Sequence, residues 1–257
     1  MKANIYSIDG KVLKEVSLPE LFKDPVREDL IKRAVLSDES REYQPKGSYR
    51  FAGLETSAKY RGRKEMYGAV KNKGIPHLPH EVQPKGQFGK VKRVPHAVKG
   101  RRAHPPKAAK ILVEEVNKKE YLKALKSALA ASGNKQIVNG RSHAKAETTL
   151  PIVFDNAFES IKKTKGVIAA FDSLKLSSLL DRSKYSGTKG PLLIFASSVP
   201  AYRAARNIAG VDVVLAKDLK AKYLAPGCKA GRLVVFTENS LHELAKNLDK
   251  QLKGVSS

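Results

Sequence analysis

GRLVVFTENSLHELAKNL, residues 231–248, passes from a short apolar run straight into a helical pattern, and the fold follows from reading that junction. Leu233 to Phe236 are apolar at every position, with two valines and a phenylalanine, which suits a strand and is too short for a helix. An unbroken apolar strand of this kind belongs to a sheet that is covered on both faces. Thr237 and Ser240 place hydroxyls where a helix would begin. Leu241, Leu244, Ala245 and Leu248 then recur at three and four, so a closing helix is expected from Ser240 to Leu252.

The same alternation repeats toward the N-terminus. Val211 to Leu215 and Leu192 to Ala196 flank a helical segment near Ala201 to Ala209. Ahead of them stand Val167 to Ala170, a helix from about Asn156, and Ile152 to Phe154. Tyr121, Leu122, Leu125, Ala128 and Leu129 describe an amphipathic helix with Asn117 in position to cap it. At the start, Ala3 to Ile8, the turn signal Asp9-Gly10 and Val12 to Val16 read as a strand and hairpin. Leu30, Ile31, Ala34 and Val35 follow at helical spacing between Val26 and Ser40, behind Asp24-Pro25 as cap and first-turn proline. The expectation is an α/β fold with a largely parallel sheet and helices on both faces, in three layers. It is interrupted by a long basic extended loop. Residues 1–40 and 108–257 would form one globular domain, and residues 41–107 the loop.

That loop is set apart by charge and by chain breakers. The 257 residues carry a formal net charge of +24, with a pI near 10.0. Between Arg41 and Lys110 lie 18 Lys and Arg against 4 acidic residues, so this stretch alone carries +14. It also holds 8 glycines and 7 prolines, a density at which neither helix nor sheet is expected to survive, and no interior of its own is expected either. Single-sign charge at this density points to a polyanion, because lysines and arginines that neutralise phosphates release condensed counterions. The glycines allow close backbone approach, while Tyr49, Phe51, Tyr60, Tyr67 and Phe88 are candidates for stacking on unpaired bases. Arginine forks bridge phosphate oxygens and fix register, and lysines act as point charges. The expected RNA contacts are Arg50, Lys59, Arg61, Arg63, Lys64, Lys71, Lys73, Lys90, Lys92, Arg93, Lys99, Arg101, Arg102, His104 and Lys107.

Other chemistries find little support. Cys228 is the single cysteine, which excludes an intramolecular disulfide and fits a reducing compartment. His77 and His80 have a His-x-x-His spacing, but the flanking Pro76 and Pro79 prevent the helix that would present paired ligands, and no metal site is expected. Gly187-Thr188-Lys189-Gly190 and Gly227 to Arg232 precede apolar strands instead of following them, so they read as turns and not as phosphate loops, and no cofactor is expected. No apolar stretch is long enough to cross a bilayer, so no membrane is expected among the partners. An RNA-modifying enzyme with an α/β catalytic domain is the alternative, and no cofactor signature accompanies it. A free regulatory RNA-binding protein is a third reading, and it could coexist with a structural role.

Several blocks together resemble the universal large-subunit ribosomal proteins of the L-four family in their archaeal and eukaryotic form. They include Ala3 to Gly10, Leu18 to Phe22, Pro25 to Ile31, Ser127 to Ala131, Ala204 to Val213, and Leu224 to Gly227 continuing through Gly231 to Glu238. The most specific block is Arg93-Val94-Pro95-His96-Ala97-Val98-Lys99-Gly100-Arg101-Arg102-Ala103-His104-Pro105-Pro106-Lys107. The resemblance runs in order along nearly the whole chain. It implies a non-enzymatic constituent of the large ribosomal subunit in the cytoplasm, bound to large-subunit rRNA and to neighbouring ribosomal proteins. Its loop would reach the wall of the polypeptide exit tunnel, beside the tunnel protein of the L-twenty-two family. Tyr60, Arg61, Gly62, Arg63, Lys64, Met66 and Tyr67 would then lie nearest the tunnel and the nascent polypeptide, while Arg93 to Lys107 would anchor the returning limb.

Overall fold

Among the described residues, eight strands form: β1 (Lys2–Tyr6), β2 (Val12–Ser17), β3 (His80–Val82), β4 (Phe88–Val91), β5 (Ile152–Phe154), β6 (Leu192–Phe195), β7 (Asp212–Leu215) and β8 (Val234–Thr237). The computed structural model describes residues 2–142, 148–186 and 188–256. Six strands make one sheet in the order β2-β1-β5-β8-β6-β7. Only the β1/β2 hairpin is antiparallel, and β3 and β4 pair with each other alone. The chain divides into two compact units, Met1–Glu42 with Val113–Ser257, and Tyr43–Leu112.

The first unit holds the large sheet, and its strands show why their sequences lack alternation. Leu192 and Ile194 of β6 pack into one apolar cluster, Leu193 and Phe195 into the other, and the same division separates Val234 and Phe236 of β8 from Val235. Both faces are therefore dry, which requires apolar side chains at every position. One face is covered by α1 (Glu28–Ser40), α2 (Lys118–Gly133), α7 (Ala221–Leu224) and α8 (Glu238–Ser256). The opposite face carries α4 (Thr164–Ser173), α5 (Ser177–Ser186) and α6 (Pro200–Arg206), while α3 (Lys135–Ser142) follows α2 directly. On that side Phe158 stacks on Phe154 at 4.5 Å between ring centroids and on Phe195 at 6.1 Å. The three-layer α/β arrangement with a mainly parallel sheet is thus as expected.

Local differences have physical causes. Val167 to Ala170 lies within α4, where Val167, Ala170 and Phe171 are buried at three and four and Ile168 is exposed, so an apolar run that reads as strand-like is one face of a helix. The helix expected from about Asn156 is a single 3-10 turn, Asn156–Ser160. Helix α1 begins at Glu28 without a side-chain cap; instead Ser127 of α2 accepts from the Arg27 N–H at 2.6 Å and donates to the Pro25 carbonyl at 3.0 Å. Asn117 does occupy the cap position of α2, but its side chain makes no capping bond. At the β8–α8 junction the Ser240 N–H donates to the Thr237 hydroxyl at 3.3 Å, and the Thr237 N–H to the Ser240 hydroxyl at 3.0 Å, a reciprocal cap as the sequence suggests.

Arg232 and Asp38 are buried in this unit, and each is held by named partners. Arg232, only 2% exposed, ion-pairs with Asp212 at 2.7 Å and donates to the carbonyls of Gly190 and Tyr223. Asp38 accepts from the Tyr121 hydroxyl and from the Lys222 N–H, joining α1, α2 and α7; burial foremost, with the adjacent Asp38 charge, pushes the Tyr121 phenol well above its ordinary pKa.

Candidate nucleic-acid interface

The Tyr43–Leu112 unit carries all the RNA contacts expected from the sequence. It is not structureless. Strands β3 and β4 form an antiparallel ribbon, His80 opposite Val91 and Val82 opposite Phe88, with Pro84, Lys85 and Gly86 in the turn between them. Lys59 adds a bridge to His80, and its N–H donates to the His80 carbonyl at 3.1 Å. Ala58, Ala69 and Val70 are buried, each at 1% exposure or less. The expectation that no sheet survives here, and that the segment has no interior, is corrected on both points. Glycine and proline break long regular elements, but strands of three and four residues still form, β4 with Gly89 inside it.

His80 is central to this small interior. Its Nδ1 and Nε2 lie 3.0 and 3.1 Å from the carbonyl oxygens of Gly89 and Pro76, and Phe88 meets its ring edge-on at 5.7 Å. The Lys73 ammonium stands 5.1 Å from the Phe88 ring centre. Phe88 is therefore committed within the unit, whereas Tyr49, Phe51, Tyr60 and Tyr67 are exposed and remain candidates for base stacking. Among the described residues no group of three or more His, Cys, Asp or Glu is arranged to hold a metal ion.

Residues 61–70 close on themselves. Arg61 donates to the Tyr67 carbonyl at 3.0 Å, and its own carbonyl accepts from the Val70 N–H at 3.1 Å. The turn leaves Arg63, Lys64, Met66 and Tyr67 on the outside and Arg61 half-buried. Arg93 adopts the left-handed conformation at φ 71° and donates to the Ala58 carbonyl at 3.3 Å, tying the outgoing limb to the returning one. Two of the arginines expected from sequence to meet phosphate, Arg61 and Arg93, thus also brace the unit. Of the remainder, Lys92 is half-buried, while Arg50, Lys59, Arg63, Lys64, Lys71, Lys73, Lys90, Lys99, Arg101, Arg102, His104 and Lys107 are exposed.

Where the two limbs run together, the Ser48 N–H donates to the Pro106 carbonyl at 3.2 Å. Gly53, at φ 75°, meets Arg101 so closely that a Cβ there would lie 2.6 Å from the Arg101 backbone nitrogen. Beside this approach lies an open groove of about 970 Å³, lined by Tyr43, Lys46, Arg102, His104, Lys107 and Lys110 among others. Lys46, Lys110 and Tyr43 do not stand out in the sequence. Their charge and aromatic character are legible there, but the approach of the two limbs that brings Tyr43 and Lys46 into one groove with Arg102, Lys107 and Lys110 is not. A cationic groove with an aromatic wall and little acidic opposition suits a sugar-phosphate backbone.

An α/β domain and a compact cationic unit in one chain are the features expected of a protein that binds a polyanion. The family is shown by comparison: a model of the ribosomal protein L4/L1 family matches residues 16–247, and the chain belongs to that family. The chain is similar to the large ribosomal subunit protein uL4 of Methanocaldococcus jannaschii, 42% identical over 97% of this chain and 100% of that protein. The uL4 proteins of Methanococcus maripaludis and Methanoregula boonei are 42% and 39% identical, each over 95% of this chain and 98% and 99% of their own lengths.

Proposed function

We propose that the protein is a structural constituent of the large ribosomal subunit in the cytoplasm, that it binds large-subunit rRNA, and that it catalyses no reaction. The observation that carries this reading is the segregation of cations onto the Tyr43–Leu112 unit, in a chain that belongs to a ribosomal protein family. Packed RNA helices concentrate phosphate, and a unit this basic would stabilise their close approach by replacing diffuse counterions with fixed ones. Residues 41–107 are the RNA-binding segment in this reading, and residues 1–40 with 108–257 are the domain that carries it. Exposed Arg101, Arg102, His104 and Lys107 bind the backbone along the groove, and Arg93 orders the limb from which they project.

The finer part of the proposal concerns the turn at 61–70. Its outward Arg63, Lys64, Met66 and Tyr67 would form part of the exit-tunnel wall, with a protein of the L-twenty-two family as neighbour and the nascent polypeptide passing close by. The family resemblance and the exposure of this turn support it.

A photo-crosslinking residue placed at Tyr67 or at Arg102, in cells, tests both parts. The chain is expected to sediment with large subunits, Arg102 to crosslink to rRNA, and Tyr67 to rRNA and to nascent chains. A chain that stays at the top of the gradient contradicts the ribosomal reading, and a Tyr67 probe that reaches rRNA but never nascent chains contradicts the tunnel assignment alone.

A further inference from the structure

A second concentration of positive charge lies in the sheet domain, away in sequence from the Tyr43–Leu112 unit. Arg141, Arg182, Lys189 and Arg232 line a cavity of about 350 Å³, together with Ser183 and Thr188 among other residues. Asp212 serves two of these cations at once, pairing with Arg232 at 2.7 Å and with Lys189 at 3.3 Å. One carboxylate is thus shared between two positive side chains.

Arg141 stands out. Its Nη2 donates to the Pro226 carbonyl at 2.7 Å, whereas its Nη1 is buried and has no hydrogen-bond partner among the described residues. Burial and, after it, the positive charge of Arg232 both disfavour its protonated form. A guanidinium that cannot lose its proton at ordinary pH, and is held beside another guanidinium, is stabilised by an acceptor that carries negative charge. The cavity is large enough for a tetrahedral oxyanion, and its cations converge from α3, α5 and the segments leading into β6 and β8.

We propose that this cavity is a phosphate site, in which Arg141 Nη1 donates to one oxygen of the group while Arg182 and Lys189 balance its charge. The phosphate group is either a phosphodiester of RNA or that of a small phosphate compound. The site stands on the sheet domain alone and would hold even if the Tyr43–Leu112 unit bound no RNA.

The test uses the full chain. Inorganic phosphate is titrated against sodium chloride at equal ionic strength, read by thermal shift and phosphorus NMR, and the affinity for a large-subunit rRNA fragment is measured alongside. Phosphate is expected to raise Tm beyond the chloride control, and Arg141→Gln to weaken that binding about tenfold, the loss of one charge-assisted hydrogen bond. Arg182→Gln gives an independent variant should Arg141→Gln fold poorly, and the wild-type response needs no variant. If Arg141→Gln also lowers rRNA affinity, the natural occupant is an RNA phosphodiester. If rRNA affinity is unchanged while the phosphate response is lost, it is a small phosphate compound. A wild-type chain that responds to phosphate no more than to chloride, with rRNA affinity indifferent to both substitutions, overturns the proposal.

Discussion

Asp212 and Arg232 show how much single residues contribute to the sheet domain. Burial works to raise the Asp212 pKa, but the Arg232 guanidinium, helped by Lys189, holds it below the ordinary carboxylate value. A carboxylate depressed in the folded state contributes stability that is complete above its unfolded pKa, about 4, and is lost as pH falls through the folded value. Asp212→Asn is therefore expected to remove part of the acid sensitivity of the urea midpoint. It also leaves a buried guanidinium without its counter-charge, at a cost of about 3 kcal/mol near neutral pH. That is the lower end for a buried pair, because Asp212 is 28% exposed and water reaches it. A midpoint unchanged by the substitution would mean that the carbonyls of Gly190 and Tyr223 suffice for Arg232. Gly53 plays a comparable part in the basic unit. Gly53→Ala combines a strained φ with an approach of 2.6 Å to the Arg101 backbone, which cannot swing aside as a side chain can. Hydrogen exchange at the Ser48 amide should speed up about tenfold, equivalent to about 1.4 kcal/mol, a strain within the usual range. Exchange at Ile194, within β6, should not change.

Secondary-structure elements differ in how plainly the sequence announces them. β6 and β8 are legible because strands dry on both faces have no room for polar residues, and α8 because its leucines and hydroxyl cap agree. α4 is misleading, since four apolar residues in a row fit a strand until their burial pattern is known. α3 and α5 are hidden: Lys135–Ser142 is polar and short, and Ser177–Ser186 is rich in serine, so neither shows a strong apolar face. The β3/β4 ribbon escapes a reading of the sequence because its strands are shorter than the periodicity they would need to display, and its buried His80 is a polar residue set between two backbone carbonyls. For the candidate interface, residue identities are legible and their pairings are not. Arg61 and Arg93 are recognisable as cations, but nothing in their neighbours foretells that they turn back onto Tyr67 and Ala58. Thr237→Ala probes the best-announced junction. Removing the hydroxyl that accepts from Ser240 should cost about 1 kcal/mol, seen as a lower Tm with α8 otherwise retained by far-UV circular dichroism. An unchanged Tm would show that packing of Leu241, Leu244 and Leu248 alone fixes where the helix starts.

At the scale of the whole molecule, two kinds of stability coexist in one chain. The sheet domain is held by two apolar clusters on opposite faces of its sheet. The Tyr43–Leu112 unit has only a few buried residues against a dense cationic surface, so its charges repel one another in water, and under the proposed function rRNA phosphate would neutralise them. The measurement that tests this account most directly is the salt dependence of binding to a large-subunit rRNA fragment, for the wild type and for Arg101→Ala/Arg102→Ala. Binding should weaken steeply with salt, and the double substitution should flatten the plot of log affinity against log salt by about 0.7 to 0.9 for each phosphate no longer neutralised by an arginine. A slope that is shallow in the wild type, or identical in the variant, would contradict it.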